Sequence, residues 1–549
     1  MNTLGYVALV LHAHLPFVRH PESACVLEEE WLFEAITETY IPLLNVFEGL
    51  KRDGIDFKMT MSLTPPLVSM LRDPLLQKRY DNYLAQLQEL AQQEVGRNQG
   101  HTRYLAEHYV ATFSQVRQTW ERYQHDLIVG FRQFLISNNL EIITSCATHA
   151  YLPLLKSYPQ AVWAQIQVAC EHHQDHFGRL PKGIWLPECA YYEGLENLLA
   201  KAGLRYFLTD GHGLLLARPR PRFGTYAPIF SPTGVAVFAR DHQSSQQVWS
   251  AEVGYPGDPL YREFYKDLGW DADYDYIKPY IIPNGERKNT GIKYHRITDR
   301  ETGLAEKSLY DPYWARKKAA EHAEDFVLKR EEQVQYLHKE MGRPPLIVSP
   351  YDAELFGHWW YEGPWFLDYL LRKSWRNQQI YRLVHLADYL QNHPTHQICR
   401  PSPSSWGYRG FHEYWLNERN VWIYPHLHKA TERMMALAEQ EPVDTLGWRA
   451  LNQSARELLL AQSSDWAFIM SAGTMVSYAD RRTRSHLLRF NKLYDEITQD
   501  NIDAGWLEKV EAIDNIFPHL DYRIYRGTSE AALPHYHQGF QLPKSQRVR

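Results

Sequence analysis

Two apolar runs end in a lone carboxylate set among aromatic residues. One is KGIWLPECAYYEG, residues 182–194, where Glu188 stands near Trp185, Tyr191 and Tyr192. The other is PLIVSPYDAELFGHWW, residues 345–360, with Asp352 and, two residues on, Glu354 as a competing candidate. A carboxylate at the buried end of a strand is costly unless it is paired or used. Used together, two carboxylates across a cleft are the equipment of glycosidic-bond chemistry. One attacks or activates and the other protonates the leaving oxygen, and their surroundings must hold the two pKa values apart. Read structurally, the same residues are helix N-caps or salt-bridge partners, and residue type alone does not separate the two readings.

Histidines end two further apolar runs. His12 and His14 in HAHLP, two positions apart, share one face of a strand. Such a pair ligates a metal, hydrogen-bonds sugar hydroxyls, or is structural. No acidic residue follows it directly, so a metal would need His149, from ATHAYLP, or Asp352 as its third ligand. WGYRGFHEYWLN (406–417) carries Trp406 and Trp415, and QSSDWAFIM (462–470) sets Asp465 beside Trp466. A tryptophan in a helix is more often core than platform, so each of these is a weak signal alone.

These residues need a scaffold that gathers distant segments. Apolar runs at 5–16, 56–68, 140–153, 183–191, 204–214 and 345–357 read as strands, with helical patterns between them at 158–173, 194–202 and 314–341. The alternation predicts an α/β protein whose parallel sheet closes as a barrel. In a barrel the strand C-terminal ends share one mouth. Residues 75–136 read as two long amphipathic helices inserted in the barrel, and the aromatic stretch 253–300, with Trp270, as an ordered excursion. Beyond about residue 400 only helical runs remain, at 428–440, 444–463 and 480–499. The expected organisation is a catalytic barrel over 1–400, a helical domain over 401–530 and a polar tail over 531–549.

Composition narrows the function. The chain has 549 residues and a net charge of −6, which gives no electrostatic reason to expect nucleic acid or an anionic membrane as partner. No run of about 18 apolar residues occurs, so no membrane span is expected. The first apolar run lacks a basic flank and is broken by His12 and His14, so it reads as a core strand and not as a signal peptide. Five scattered cysteines predict neither a disulfide framework nor a cysteine zinc site and fit a reducing cytoplasm. The 17 tryptophans and 36 tyrosines, many in loop-like segments, suit flat apolar faces with polar edges, which sugar rings match. No helix carries a clear self-association stripe, so the oligomeric state is open.

HAHLPF, EIITSCATHAYLPLL, GIWLPECAYY and SPYDAELFGHWWYEGP resemble, in order, the first four motifs of glycoside hydrolase family 57, and the segment from Trp406 to Asp465 resembles the fifth. WLPECAYY together with VWSAEVGYPGDPLYREFYKDLGWD looks most like that family's 1,4-α-glucan branching enzymes. The resemblance implies a (β/α)7 barrel, an incomplete relative of the eight-fold one, with a helical C-terminal domain closing the cleft. It implies a retaining reaction on α-glucan with Glu188 as nucleophile and Asp352 as general acid/base, and with no metal or cofactor. His12, His14 and His149 would hold the sugar, Trp270, Trp406 and Trp415 would line the glucan path, and Asp465 would help bind it. It further implies a tyrosine-bearing mobile loop over the cleft. Spacing from Glu188 puts that loop at 232–248, which has no tyrosine; Tyr226 lies just before it and Phe238 within it. A chain lacking the shield would leak towards hydrolysis as an α-amylase, and the alternative to branching is a hydrolytic α-amylase or a 4-α-glucanotransferase on the same scaffold. The rival readings are a metal-dependent polysaccharide deacetylase and a non-catalytic glucan-binding protein.

Overall fold

Seven short strands pair in parallel around a ring: β1 (Gly5–Ala13), β2 (Met59–Leu63), β3 (Leu140–Ile143), β4 (Gly183–Trp185), β5 (Tyr206–Thr209), β6 (Ala236–Ala239) and β7 (Leu346–Asp352). The computed structural model describes residues 3–250, 253–282 and 285–527. β1 lies between β2 and β7, β2 pairs β3, β4 pairs β5 and β5 pairs β6, all parallel. A bridge between Thr144 and Ile184 joins β3 to β4. The Asp241 N–H donates to the Val348 carbonyl at 2.9 Å, which brings the chain leaving β6 against β7 and closes the ring. The expected (β/α)7 barrel is therefore what the chain forms. Most strand residues are buried on both faces, so the strands read as apolar runs without alternation.

Two expectations are corrected. Residues 75–136 make three helices, Pro74–Arg97, Gly100–Arg122 and Leu127–Ile136, not two. The second expected helix breaks where Gln124 and His125 take left-handed backbone (φ 52° and 68°) and Asp126 caps the next helix through the Ile128 N–H at 3.0 Å. Residues 232–248 are not a mobile loop over the cleft. They form a turn, strand β6 and most of the helix His242–Trp249, whose cap is Asp241 accepting from Ser244 N at 2.7 Å. The β-branched run VAVFA and a capping aspartate are strand and helix signals. The excursion at 253–300 is ordered around Asp267, whose carboxylate accepts from the N–H groups of Gly269, Thr290 and Gly291 and from the Thr290 hydroxyl.

After residue 401 the described residues contain no strand. The helices are Ile423–Ala438, Thr445–Ala461, Ser464–Ala472, Val476–Thr498 and Ala504–Ile513. The third and fifth are short and were not expected from the apolar pattern. The third starts at the barrel mouth, where Ser463 bridges Ala150. The expected tail, 531–549, lies outside the described residues. No helix among the described residues is long and apolar enough to cross a membrane.

Candidate active site

Strand register sets the level of the site. His12, near the end of β1, is paired with Ser62 of β2 on one side and with Asp352, the last residue of β7, on the other. Its Nδ1 is 3.1 Å from the Ser62 hydroxyl, and its ring stacks on Trp185 at 4.6 Å and 6°. Trp185 is the last residue of β4, and Glu188 stands three residues beyond it. The chain turns there through Pro187–Cys189 with Glu188 and Cys189 both at positive φ (60° and 50°). Two successive non-glycine residues in that region are strained, and the strain aims the Glu188 side chain into the mouth.

Neutral donors hold both oxygens of Glu188. The Trp406 indole N–H donates to Oε2 at 2.8 Å, and the Ser464 hydroxyl donates to Oε1 at 2.9 Å. The Trp406 backbone N–H also binds the Glu188 carbonyl at 2.9 Å. His149, itself at positive φ (58°), has Nδ1 2.9 Å from the Ser464 hydroxyl and Nε2 3.1 Å from His12 Nε2. His14 places Nε2 3.0 Å from Asp465 and stacks on His149 at 3.8 Å. Its Nδ1 lies 3.1 Å from the Thr64 hydroxyl. Thus β1, the segment after β3, the turn after β4 and the helix Ser464–Ala472 meet in one hydrogen-bonded chain.

Charge in this chain follows burial and neighbours. Burial drives the pKa values of His12 and His149 well below that of free histidine, with His14 adding to both. Burial also works against charging His14, but Asp465, by field and hydrogen bond, outweighs it and raises His14. Burial raises Glu188, with Asp465 adding and the bonds from Trp406 and Ser464 opposing. Asp352 is pushed furthest, well above the ordinary carboxylate range, by burial first, then Glu354, then Glu188. Two carboxyl groups in one mouth therefore differ in proton affinity, and Asp352 is the one that keeps its proton.

Among the other expected residues, Trp406 is half-buried, edge-on to Trp185 and stacked 6.3 Å from Trp249, which is 52% exposed. Trp415 is 1% exposed and stacked on Tyr151 at 4.5 Å, so it offers no open face to a sugar; the expected platform is a buried support. Trp270 is 54% exposed, with its indole N–H on Asn289 at 2.9 Å, and lies outside the hydrogen-bonded chain. A cation would find one atom each from His14, His149 and Asp465 within 4.8 Å of one another. The nitrogens of both histidines are engaged in the bonds just described.

Comparison with known proteins places this arrangement. Residues 8–402 match Glycosyl hydrolase family 57. The chain belongs to that family. Residues 426–525 match the description 1,4-alpha-glucan branching enzyme, C-terminal. The 1,4-alpha-glucan branching enzyme TK1436 of Thermococcus kodakarensis is 34% identical over 93% of this chain and 77% of that protein. The structure of the alpha-amylase AmyC from Thermotoga maritima is 46% identical, with a TM-score of 0.89 over 95% of this chain and 99% of that one. That of the family 57 branching enzyme from Pyrococcus horikoshii is 33% identical, with a TM-score of 0.85 over 98% and 99%.

In this family 57 chain the geometry adds residues that motif reading passed over. Ser464 ties His149 to Glu188, and Trp249 extends the aromatic surface beside Trp406. Ser464 gave a signal only through its neighbour Asp465. Trp249, at the end of a polar helix, is the more legible of the two, because a large aromatic on a polar face asks for a partner.

Proposed function

We propose that the protein is a 1,4-α-glucan branching enzyme working by a retaining double displacement. The observation that carries the reading is the pair of strand-end carboxyl groups, Glu188 buried and clamped by neutral donors, Asp352 half-buried and holding its proton. Glu188 attacks the anomeric carbon as the α-1,4 bond breaks and Asp352 gives its proton to the departing O4. Asp352 then takes the proton of an acceptor 6-hydroxyl, which displaces Glu188 and forms the α-1,6 bond. His12, His14, His149 and Asp465 hold the sugar at the cut bond, and Trp406 and Trp270 mark the glucan path. Matches to branching enzymes over 93% of the chain and to their C-terminal region over residues 426–525 support the substrate class. The division into a barrel over about 1–400 and a helical domain over about 401–530 agrees with the last barrel strand ending before residue 400. A role in glycogen or starch-like polymer synthesis in the cytoplasm fits five cysteines that are all unpaired.

A second reading, hydrolytic α-amylase, is favoured by the 46% identity to the alpha-amylase AmyC of Thermotoga maritima. Incubation with amylose followed by proton NMR and a reducing-end assay decides between the two. New α-1,6 signal with few new reducing ends is the expected outcome. Reducing ends without α-1,6 signal would replace branching by hydrolysis on the same carboxylates.

A further inference from the structure

Residues Ile36–Tyr40 are wound as one turn of π-helix between two α-helical segments. Such turns are rare and recur at functional sites. Here the wider turn sets successive side chains against the segment that follows Asp352. The Tyr40 hydroxyl donates to Glu354 Oε1 at 2.5 Å, and the His14 backbone N–H donates to the same oxygen at 3.1 Å. Thr39 Oγ1 accepts the His358 backbone N–H at 3.1 Å. Glu38 binds His358 Nδ1 at 2.9 Å and Arg262 at 2.8 Å. Gly357, at φ 128°, has no room for a Cβ, which would lie 1.8 Å from the Glu38 carbonyl oxygen. The two turns are thus in backbone contact, and Glu354, 8% exposed, is fixed between Tyr40 and His14, the residue after β1.

We propose that Glu354, held in place by Tyr40, is a positioning residue for the transfer reaction: its buried carboxylate, two residues beyond Asp352, keeps the proton on Asp352 until the leaving oxygen takes it. The inference rests on the assignment of Asp352 as the general acid. The groups facing Asp352 are Glu354 on its own segment, Glu188 on the turn after β4, His14 just after β1 and Arg240 after β6; the two carboxylates favour the protonated form, the two bases oppose it. Burial raises Glu354 above its ordinary value, though less far than Asp352, and Tyr40 from the π-turn and His14 just after β1 oppose it by favouring the charge. Glu188 is governed by burial, Trp406, Asp465, Ser464 and His14. Glu354 and Glu188 therefore act on opposite limbs of the pH profile.

The test is the pH dependence of kcat/KM for Glu354→Gln and Tyr40→Phe, with Asp352→Asn as a control. The amide of Glu354→Gln still accepts from Tyr40 and His14, so shape is kept while the charge is lost. Its alkaline limb, which reports the loss of the Asp352 proton, should move to lower pH by about one unit, the scale of a nearby like charge in a buried site. The acid limb, set by Glu188, should stay in place. Tyr40→Phe weakens the hold on Glu354 and should move the alkaline limb the same way by less, and it reads the same limb should Glu354→Gln fail to fold. A rate lowered equally at every pH, with both limbs unmoved in the variants that fold, would reduce Glu354 to a packing role and overturn the inference. Near-normal activity of Asp352→Asn would instead overturn the assignment of the acid, on which the inference stands.

Discussion

The molecule buries two clusters of histidine and carboxylate, and they are built on opposite terms. In the helical C-terminal region Glu457, His486 and Asp514 are fully buried. His486 lies 2.7 Å from Glu457, Arg482 lies 3.6 Å from Asp514, and Arg489 pairs with Asp514 directly. At the barrel mouth Glu188 is held by an indole N–H and a hydroxyl, and among the described residues no lysine or arginine forms an ion pair with Glu188 or Asp352. A buried carboxylate facing guanidinium groups has its charge matched and gains nothing by reacting. One held by neutral donors is oriented but not matched, so its negative charge remains available to an electron-poor carbon. That contrast, more than burial or residue type, marks the mouth as the reactive cluster.

Removing the charge in each cluster should therefore have opposite consequences. Glu188→Gln should lower kcat/KM on amylose by at least about a thousandfold, in the range of lost covalent and acid–base catalysis. Its melting temperature should hold or rise, since an unmatched buried charge is gone. A variant that keeps most of its rate would remove Glu188 from the reaction. In the helical cluster, Arg482→Met leaves Asp514 with less compensation and should cost about 3 kcal/mol of stability, as breaking buried pairs does. Denaturant unfolding measures the loss, and amylose turnover by the folded variant should be unchanged. A drop in turnover without a drop in stability would erase the distinction between the clusters.

The same contrast explains what could be read in advance. Glu188, Asp352 and the histidines were legible because each ends an apolar run, where a polar side chain has no structural excuse. Ser464 was not, because its role exists only where a helix from the far end of the chain meets the barrel mouth. Trp415 and Trp406 look alike in sequence, both aromatic among polar neighbours, and only packing decides that one is sealed on Tyr151 while the other reaches Glu188. The helix break at Gln124–His125 was hidden because apolar periodicity runs on through both sides of it; the clue was the capping Asp126. In residues 232–248 spacing from Glu188 points to a loop, but the VAVFA run and the capping Asp241 carry the stronger local signals, and strand and helix follow them.

Ser464 sharpens the comparison at intermediate size. Ser464→Ala leaves Glu188 Oε1 without its donor and breaks the link to His149. Loss of one hydrogen bond to a charged group is worth about 2 kcal/mol, so kcat should fall about thirtyfold. KM for amylose should stay near its original value, because the hydroxyl touches the nucleophile and not the glucan path. A raised KM with unchanged kcat would make Ser464 a substrate contact instead.

The smallest effect is a pH-dependent one, and its sign separates Asp465 from the neutral histidines beside it. His14 has its pKa raised in the fold by Asp465, so the pair contributes stability that is fully present below the free-histidine pKa and fades as pH rises through the folded value. His12 and His149 have depressed values, so their contribution runs the other way: present above the free-histidine pKa and lost as pH falls. Both trends act on the unmodified protein, and a single stability curve mixes them. Their difference is isolated by comparing the protein with Asp465→Asn at each pH, since His12 and His149 are common to both. The melting temperature of Asp465→Asn should lie below that of the parent by about 2 °C at about pH 5.5, the scale of one charge-assisted bond in a chain this long. The gap should close in alkaline buffer, where His14 is neutral in both proteins. A gap that widened with pH would mean that Asp465 faces a neutral His14, and that the mouth, like the matched cluster of the helical region, carries no excess positive charge on its histidines.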